Sequence, residues 1–348
     1  MGDARMRGVV FLGDRTLEVR HFPIPRPGAG EVLIQLKCAA VCGSDLHVYR
    51  RPRSYFEGKP SWIPGHEPAG VVAEVGPCCN RVRVGDRVTI YHYLACGHCP
   101  HCVAGYLQFC PERRGLGQPH TVGPDADYMV VDERNCLLLP GQLSFEDGAM
   151  IACIAGTCFS ALRKLRPSGE DTVVIFGQGP VGLTGTIMAK AMGARAIGVD
   201  ITQERLELST RLGADAVANP SKVDIVGAIK DLTGGAGADS ALETSGSRAA
   251  HQAVIRVLRL NGRAVFVGFG STEPSVNLTS IIGRQLVLMG SFVMPMTYYW
   301  DLVDFLLEHD LPAKFQEMIT HRFRITEAAE AFRVADEAKS GKVMLVWD

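Results

Sequence analysis

The alternation that begins at Thr172 constrains this chain more than any other feature. Short apolar strands, TVVIFG (172–177), AIGVD (196–200), AVAN, SALETSG (240–246) and RAVFVGF (263–269), are separated by helical stretches. Those helices run from about Val181 to Met192, through ERLELSTRLG, near Asp224–Thr233 and near Ala249–Leu258. Strands that are apolar throughout, with helices between them, predict an α/β fold with a parallel sheet covered on both faces. At the end of the first strand, FGQGPVG sets Gly177, Gly179 and Gly182 in G-x-G-x-x-G spacing. Glycine is common here, with 38 residues, so the spacing alone says little. Its position directly after a strand and at the start of a helix is what gives it meaning. Gly177 permits a tight turn, Gly179 lets the backbone approach a pyrophosphate, and Gly182 lets helix and strand pack closely. The helix opening at Val181 then turns free N–H groups toward the phosphates. Asp200 ends the second strand, 18 residues after Gly182. A carboxylate there accepts hydrogen bonds from both adenosine ribose hydroxyls and repels a 2′-phosphate, which predicts NAD rather than NADP. Arg205 either packs on the adenine side or is an exposed helix charge. The bland alternative for the whole motif is a glycine-rich turn with a surface aspartate.

The first 150 or so residues have a different texture. Short alternating runs, GEVLIQLKCAAV (30–41), AGVVAEVG (69–76), DRVTIYH (86–92) and DYMVVDE (127–133), lie between turn signals and read as a β-rich domain. From Phe145 the chain turns helical, SFEDGAMIACIAGTCFSALRKL, with Ser144 as N-cap and an acidic first turn. The stretch from Met294 is mainly helical (YYWDLVDFLLEH, EAAEAFRVADEAK) and closes on the strand KVMLVW. Composition alone leaves open whether that tail returns to the first domain.

Eleven cysteines in 348 residues need an explanation. A disulfide framework belongs to short secreted domains, and the opening MGDARMRGVV holds no apolar signal segment. An odd count would also leave one thiol unpaired. Metal ligation and buried thiols remain. CGHCPHCVAGYLQFC sets Cys96, Cys99, Cys102 and Cys110 at C-x2-C-x2-C-x7-C, a spacing that closes a tetrahedron around Zn²⁺ with no open position, hence a structural site. The spacing differs from ferredoxin patterns, which disfavours an iron–sulfur cluster. Four thiolates fill the shell, so His98 and His101 are expected to be exposed. A nucleic-acid zinc ribbon is disfavoured by the formal net charge of −1 and by the absence of a basic, aromatic-interleaved surface. Near-neutral charge likewise argues against anionic lipid. The longest uncharged run, Thr172–Ala189, carries four glycines, a proline and a glutamine, which argues against a membrane span.

Two further segments look metal-binding. VCGSDLH holds Cys42, Ser44, Asp45 and His47, and PGHEPAG holds His66 and Glu67. With GDRV, CGHCPHC…C, GQGPVG and SGKVMLV, these stretches make the chain resemble a zinc-containing medium-chain dehydrogenase/reductase of the alcohol, polyol and threonine dehydrogenase superfamily, over essentially its whole length.

That resemblance implies a GroES-like catalytic domain over 1–152 and 293–348 and a Rossmann, doubly wound NAD-binding domain over 153–292. It implies Cys42 and His66 as catalytic zinc ligands, with Glu67 a ligand or an adjacent carboxylate that exchanges with substrate. Cys153 is the expected remaining ligand, preferred over Cys158. Polyol and threonine dehydrogenases commonly have a carboxylate near that point, so the cysteine is shared with alcohol dehydrogenases while GSDLH and GHE resemble the polyol/threonine branch. By the same resemblance Ser44 takes the substrate proton and passes it through the nicotinamide ribose to His47. Asp45 buttresses His66 through its free ring N–H. His92, with Tyr49, Trp62, Tyr93, Met294 and Tyr298, is expected to line the substrate site, and a histidine there suggests a hydroxylated substrate.

The expected activity is therefore NAD-dependent, zinc-dependent oxidation of a secondary alcohol: a polyol, a sugar derivative or a hydroxy acid. One alternative is a dehydrogenase of simple aliphatic or aromatic alcohols. Another is a non-catalytic dinucleotide-binding protein with a structural or regulatory role. Two zinc ions per chain, a small-molecule partner and no nucleic-acid or membrane partner are expected. The family suggests a homodimer or homotetramer, with the strand near Leu286–Phe292 available for pairing between subunits. Thiolate ligands must stay reduced, which suggests the cytoplasm.

Overall fold

Apolar strands and amphipathic helices sort the chain into two units in the computed structural model, which describes residues 5–119, 121–270 and 276–348. One unit comprises Met1–Cys153, Pro295–Asp301 and Ile319–Asp348; the other comprises Ile154–Met294 and Leu302–Met318. Residues 1–4, the start of the stretch read for a leader, lie outside the described residues.

The second unit carries a six-stranded sheet in the order Ala216–Ala218, Arg195–Val199, Thr172–Phe176, Ala238–Glu243, Leu258–Phe266, Val287–Gly290. All its pairings are parallel. Val174, Phe176, Ile197, Val199 and Ala241 are buried in one cluster with helix residues Ile229, Val254 and Val257, as strands covered by helices require. Strand order reverses between Thr172–Phe176 and Ala238–Glu243. The switch point therefore lies beside the glycine motif.

The first unit is built on a seven-stranded sheet in which Glu31–Val41 is central. It pairs antiparallel with Pro68–Val75, Tyr128–Asp132 and the closing strand Lys342–Val346. Val32, Ile34 and Leu36 enter one core with Val72, Val88 and Met129; Ala39 and Val41 enter another with Phe11, Leu46 and Phe332. Shifts of register at Leu33/Ile34 and Leu36/Cys38 re-aim this long strand between the two cores. The α/β reading, with a β-rich GroES-like part and a parallel Rossmann sheet, holds.

Several expectations differ in detail. Residues 302–318 do not return to the first unit with the rest of the tail. Helix Leu311–Met318 packs on helix Pro180–Ala191, and Phe305 meets Phe159, because their apolar faces have partners there. The run after Ser144 is not one regular helix. Ser144 caps it as expected, its Oγ accepting from the Asp147 N–H at 3.1 Å and its own N–H donating to the Asp147 carboxylate at 2.8 Å. Helix Phe145–Met150 then passes into a π-helical turn, Ile151–Ala155, before helix Gly156–Leu165. Among the described residues this 145–165 run alone has the length and hydropathy of a membrane span, and most of it is buried inside the protein. Helix Arg248–Val257 gives way at once to strand Leu258–Phe266, earlier than its sequence suggests.

Candidate metal centres and dinucleotide site

Cys42 stands where the central strand ends and helix Gly43–Tyr49 begins. The Cys42 N–H donates to Asp45 Oδ2 at 2.9 Å, while Asp45 Oδ1 lies 2.8 Å from His66 Nδ1. One carboxylate thus fixes both the helix start and the imidazole, leaving Nε2 free to face other donors. The preceding Gly65 has φ +90°, and a Cβ there would collide with the Asp125 carboxylate. Glu67 is tied to the central strand through its carbonyl, which accepts from the Ala40 N–H at 3.0 Å. Cys153 comes from the π-helical turn, an element often found at functional positions. The ligand atoms of Cys42, His66, Glu67 and Cys153 all lie within 4.8 Å of one another.

The electrostatics of this group suit a cation. A hydrogen bond from Cys153 and the charge on His66 hold the Cys42 thiol well below its ordinary value, despite burial, while Cys153 is raised. Burial disfavours charge on His66, yet Asp45 and Cys42 together raise its proton affinity well above that of a free imidazole. Burial pushes Glu67 up to about 8, against the pull of Lys342. Both residues of that pair are fully buried, and Lys342 Nζ sits 2.5 Å from Glu67 Oε2. Neither Glu67 oxygen has a well-aligned hydrogen bond among the described residues, so the contact is an ion pair first. Lys342 also donates to the Val41 carbonyl at 3.0 Å. Sulfur, nitrogen and carboxylate donors converging in an electronegative pocket fit a zinc ion.

Ser44 and His47 are exposed on the same short helix, with Ser44 Oγ 3.4 Å from His66 Nε2. His92 is buried beside the group, its ring 5.4 Å from that of His66. Tyr93 senses the charges of Cys153 and His66. Tyr49 is not a pocket residue: only 4% exposed, it packs between Phe11 and Phe332, because its helix turns that face to the core. Trp62 stacks on Phe56 and donates to the Gly117 carbonyl at 3.1 Å. It lines a depression of about 370 Å³ with Phe11, Arg53 and Lys59, and no metal-group residue lines that depression.

The pairing of Tyr93–Leu94 with Arg114–Gly115 closes the base of the cysteine lobe. Within it, Cys99 precedes helix Pro100–Val103, and Gly97 (φ +82°) supplies a bend. The Sγ atoms of Cys96, Cys99, Cys102 and Cys110 lie within 4.8 Å of one another. N–H groups of His98 and Cys99 lower the Cys96 thiol to about 6. All eleven cysteines are free thiols, and His98 and His101 are exposed.

In the second unit Gly177 has φ +84°, and a Cβ on Gly182 would collide with the Gly177 carbonyl. Gly179 caps helix Pro180–Ala191 without a side-chain hydrogen bond, with Pro180 at its first position. The Val181 carbonyl accepts from the Cys158 thiol at 2.8 Å, which accounts for that cysteine. Asp200 is buried with both oxygens engaged: Oδ2 accepts from the Gln178 N–H at 2.6 Å and Oδ1 from the Thr202 N–H at 2.8 Å. Arg205 is neither an exposed charge nor remote, since its Nη1 lies 3.7 Å from the position a Gly179 Cβ would take. Sequence reasoning missed three contributors. Gln178 bridges the Ile175 carbonyl and Thr186; Thr244 donates to the Phe176 and Gly177 carbonyls; and Lys342 completes the Glu67 pair. Only Lys342 left a signal, as a lone charge opening an otherwise apolar strand.

Comparison with known proteins agrees with this fold. The alcohol dehydrogenase GroES-like domain matches residues 28–141, and the zinc-binding dehydrogenase domain matches residues 180–308. The chain is 34% identical to the uncharacterized zinc-type alcohol dehydrogenase-like protein YphC of Escherichia coli (strain K12), covering 96% of each. It is 33% identical to a sorbitol dehydrogenase of Bacillus subtilis (strain 168), covering 96% of this chain and 95% of that one. Alcohol dehydrogenase TADH from Thermus sp. ATN1 superposes with a TM-score of 0.88 at 28% identity, over 98% of this chain and 99% of that one. The chain therefore belongs to the zinc-type alcohol dehydrogenases of the medium-chain dehydrogenase/reductase superfamily and is an oxidoreductase of that family.

Proposed function

We propose that this chain transfers a hydride between a secondary alcohol (a polyol, sugar derivative or hydroxy acid) and NAD, and holds one catalytic and one structural zinc. The observation that carries this reading is the convergence of Cys42, His66, Glu67 and Cys153, with Asp45 bound to the far side of His66. Bound there, zinc would supply Lewis acidity toward a substrate oxygen, while zinc in the four-cysteine lobe would be a redox-silent staple. Cys42, His66 and Cys153 are the resident ligands, and Glu67, held by Lys342, is the carboxylate able to exchange. Asp45 keeps His66 Nε2 aimed at the group. Ser44, beside His66, receives the substrate's proton, and His47, on the same exposed helix, passes it to water.

Asp200 supports NAD. Its oxygens are fixed by backbone N–H groups yet retain lone pairs for ribose hydroxyls, and its charge opposes a 2′-phosphate. Gly177, Gly179, Val181 and Gly182 form the phosphate turn, with Arg205 beside it. The intact ligand set disfavours a non-catalytic role. Edge strand Val287–Gly290 supports a homodimer or homotetramer, and the reduced thiols of both metal groups support a cytoplasmic setting.

A panel of polyols, sugar acids, hydroxy amino acids and aliphatic alcohols, read by NADH absorbance, tests the reaction. Turnover is expected with NAD, to be abolished by chelator and in Cys42→Ala, with two zinc ions per chain by metal analysis. Equal kcat/KM with NADP would overturn the cofactor assignment, and one zinc per chain would overturn the two-site reading.

A further inference from the structure

His92 is a polar side chain buried beside the catalytic group, and a backbone carbonyl dictates its hydrogen-bonding state. Its Nδ1 lies 2.7 Å from the carbonyl of Ala152, the residue before Cys153. A carbonyl only accepts, so Nδ1 carries the hydrogen. In a neutral ring Nε2 is then a bare acceptor. The ring is only 5% exposed, and burial disfavours its charged form, so the neutral ring is the one to consider. The ring cannot easily turn to change this arrangement. It lies nearly parallel to Tyr91 at 5.8 Å, against Tyr93 at 4.7 Å and at 67° to His66 at 5.4 Å.

We infer that His92 Nε2 accepts a hydrogen bond from a hydroxyl on the carbon next to the reacting carbinol, so that the substrate is a vicinal diol of the polyol or sugar-alcohol class. This rests on the proposed alcohol oxidation at the Cys42–His66–Cys153 group. A methyl group in that place leaves the acceptor desolvated and unpaired. A carboxylate there sets lone pairs against a lone pair, which disfavours 2-hydroxy acids. A fixed polar partner thus discriminates among alcohols of one size.

Three size-matched alcohols, all oxidised at C2, test this: 1,2-propanediol (product hydroxyacetone), 2-propanol and lactate. In the zinc-loaded wild-type protein, kcat/KM for the diol is expected to exceed that for 2-propanol by about 3- to 10-fold, the equivalent of one neutral hydrogen bond, with lactate poorest. In His92→Phe the diol-to-2-propanol ratio falls to about 1. Ratios within one protein cancel any overall change in rate. Calorimetric titration of the protein–NADH complex with erythritol supplies a readout independent of turnover, and Kd is expected to rise about 3- to 10-fold in His92→Phe. A wild-type preference for 2-propanol or lactate, or a diol preference that survives in His92→Phe, overturns the inference. Absence of turnover of all three alcohols with either NAD or NADP sinks the dehydrogenase reading instead, and the erythritol affinities then decide the role of His92.

Discussion

At the scale of single residues, the least expected feature is a lysine and a glutamate paired with no exposure at all. Lys342 and Glu67 come from opposite ends of the chain, brought together because the closing strand pairs with residues 38–41. Removing one partner of a buried pair leaves an uncompensated charge. Lys342→Met should therefore destabilise the fold by about 3–5 kcal/mol, measured by urea denaturation. The lower end is expected, because a Glu67 already pushed up to about 8 can escape by taking a proton. Combining Lys342→Met with Glu67→Leu should recover most of the loss; an unrecovered double variant would show that packing, not charge, is what Lys342 supplies. The motif residues Cys42, His66, Asp45 and the lobe cysteines were legible because each sits in a short local pattern. Lys342 stands out as a lone charge in its strand, but its pairing with Glu67 was not legible, since that partner is set by tertiary pairing. Tyr49 was misread for a related reason. An aromatic on a short helix reads the same whether it faces a pocket or the core, and only packing against Phe11 and Phe332 decides.

Among elements, the alternating strands and helices of the second unit were readable because covered parallel strands leave an uninterrupted apolar signature. Strand Ile319–Arg324 was not, because ITHRFR is largely exposed at one end of its sheet and its residues carry no apolar run. Nor was the π-helical turn that supplies Cys153, since changing from i→i+4 to i→i+5 bonding alters no composition. The N-terminal hairpin, strand Arg5–Gly13 paired antiparallel with Thr16–Pro23, is fastened to the main sheet at Asp127. That carboxylate accepts the Arg7 backbone N–H at 2.7 Å, the Arg7 guanidinium at 2.9 Å and the Trp347 indole N–H at 2.8 Å. Burial opposes its charge, but Arg7 and Trp347 outweigh it and hold its pKa below the ordinary aspartate value. A depressed folded-state pKa contributes stability above the unfolded-state value, lost as pH falls through the folded one. Asp127→Asn should thus cost about 1–2 kcal/mol at pH 7, allowing for solvent around the half-exposed Arg7. The difference between the two proteins should shrink as pH drops below about 4. Parallel stability curves down to acid pH would show that the carboxylate charge contributes nothing there.

For the whole molecule, the question is what completes the six-stranded sheet. Val287–Gly290 is its last strand and, among the described residues, pairs with a neighbouring strand on one side only. An uncovered strand edge offers unpaired backbone groups to another chain, and soluble proteins usually blunt such edges with charge or proline. Here one cation is present, Lys164 Nζ donating to the Gly290 carbonyl at 2.8 Å, beside exposed apolar side chains: Val287 is 48% exposed, and on the preceding helix Leu278 and Ile282 are 68% and 76% exposed. Apolar side chains clustered beside an open edge are costly to leave in water, and a second copy of the chain presents the same edge. Pairing two such edges about a twofold axis would extend the sheet across the interface and bury both apolar clusters. The protein is therefore expected to be a dimer or tetramer by analytical ultracentrifugation. Ile282→Lys combined with Val287→Lys should break that pairing, because both subunits would bring like charges into the apolar contact. Both side chains project from the surface, so the fold of the subunit should tolerate the change, with near-unchanged circular dichroism and zinc content. A monomeric wild type, or a double variant that associates as before, would place any interface elsewhere.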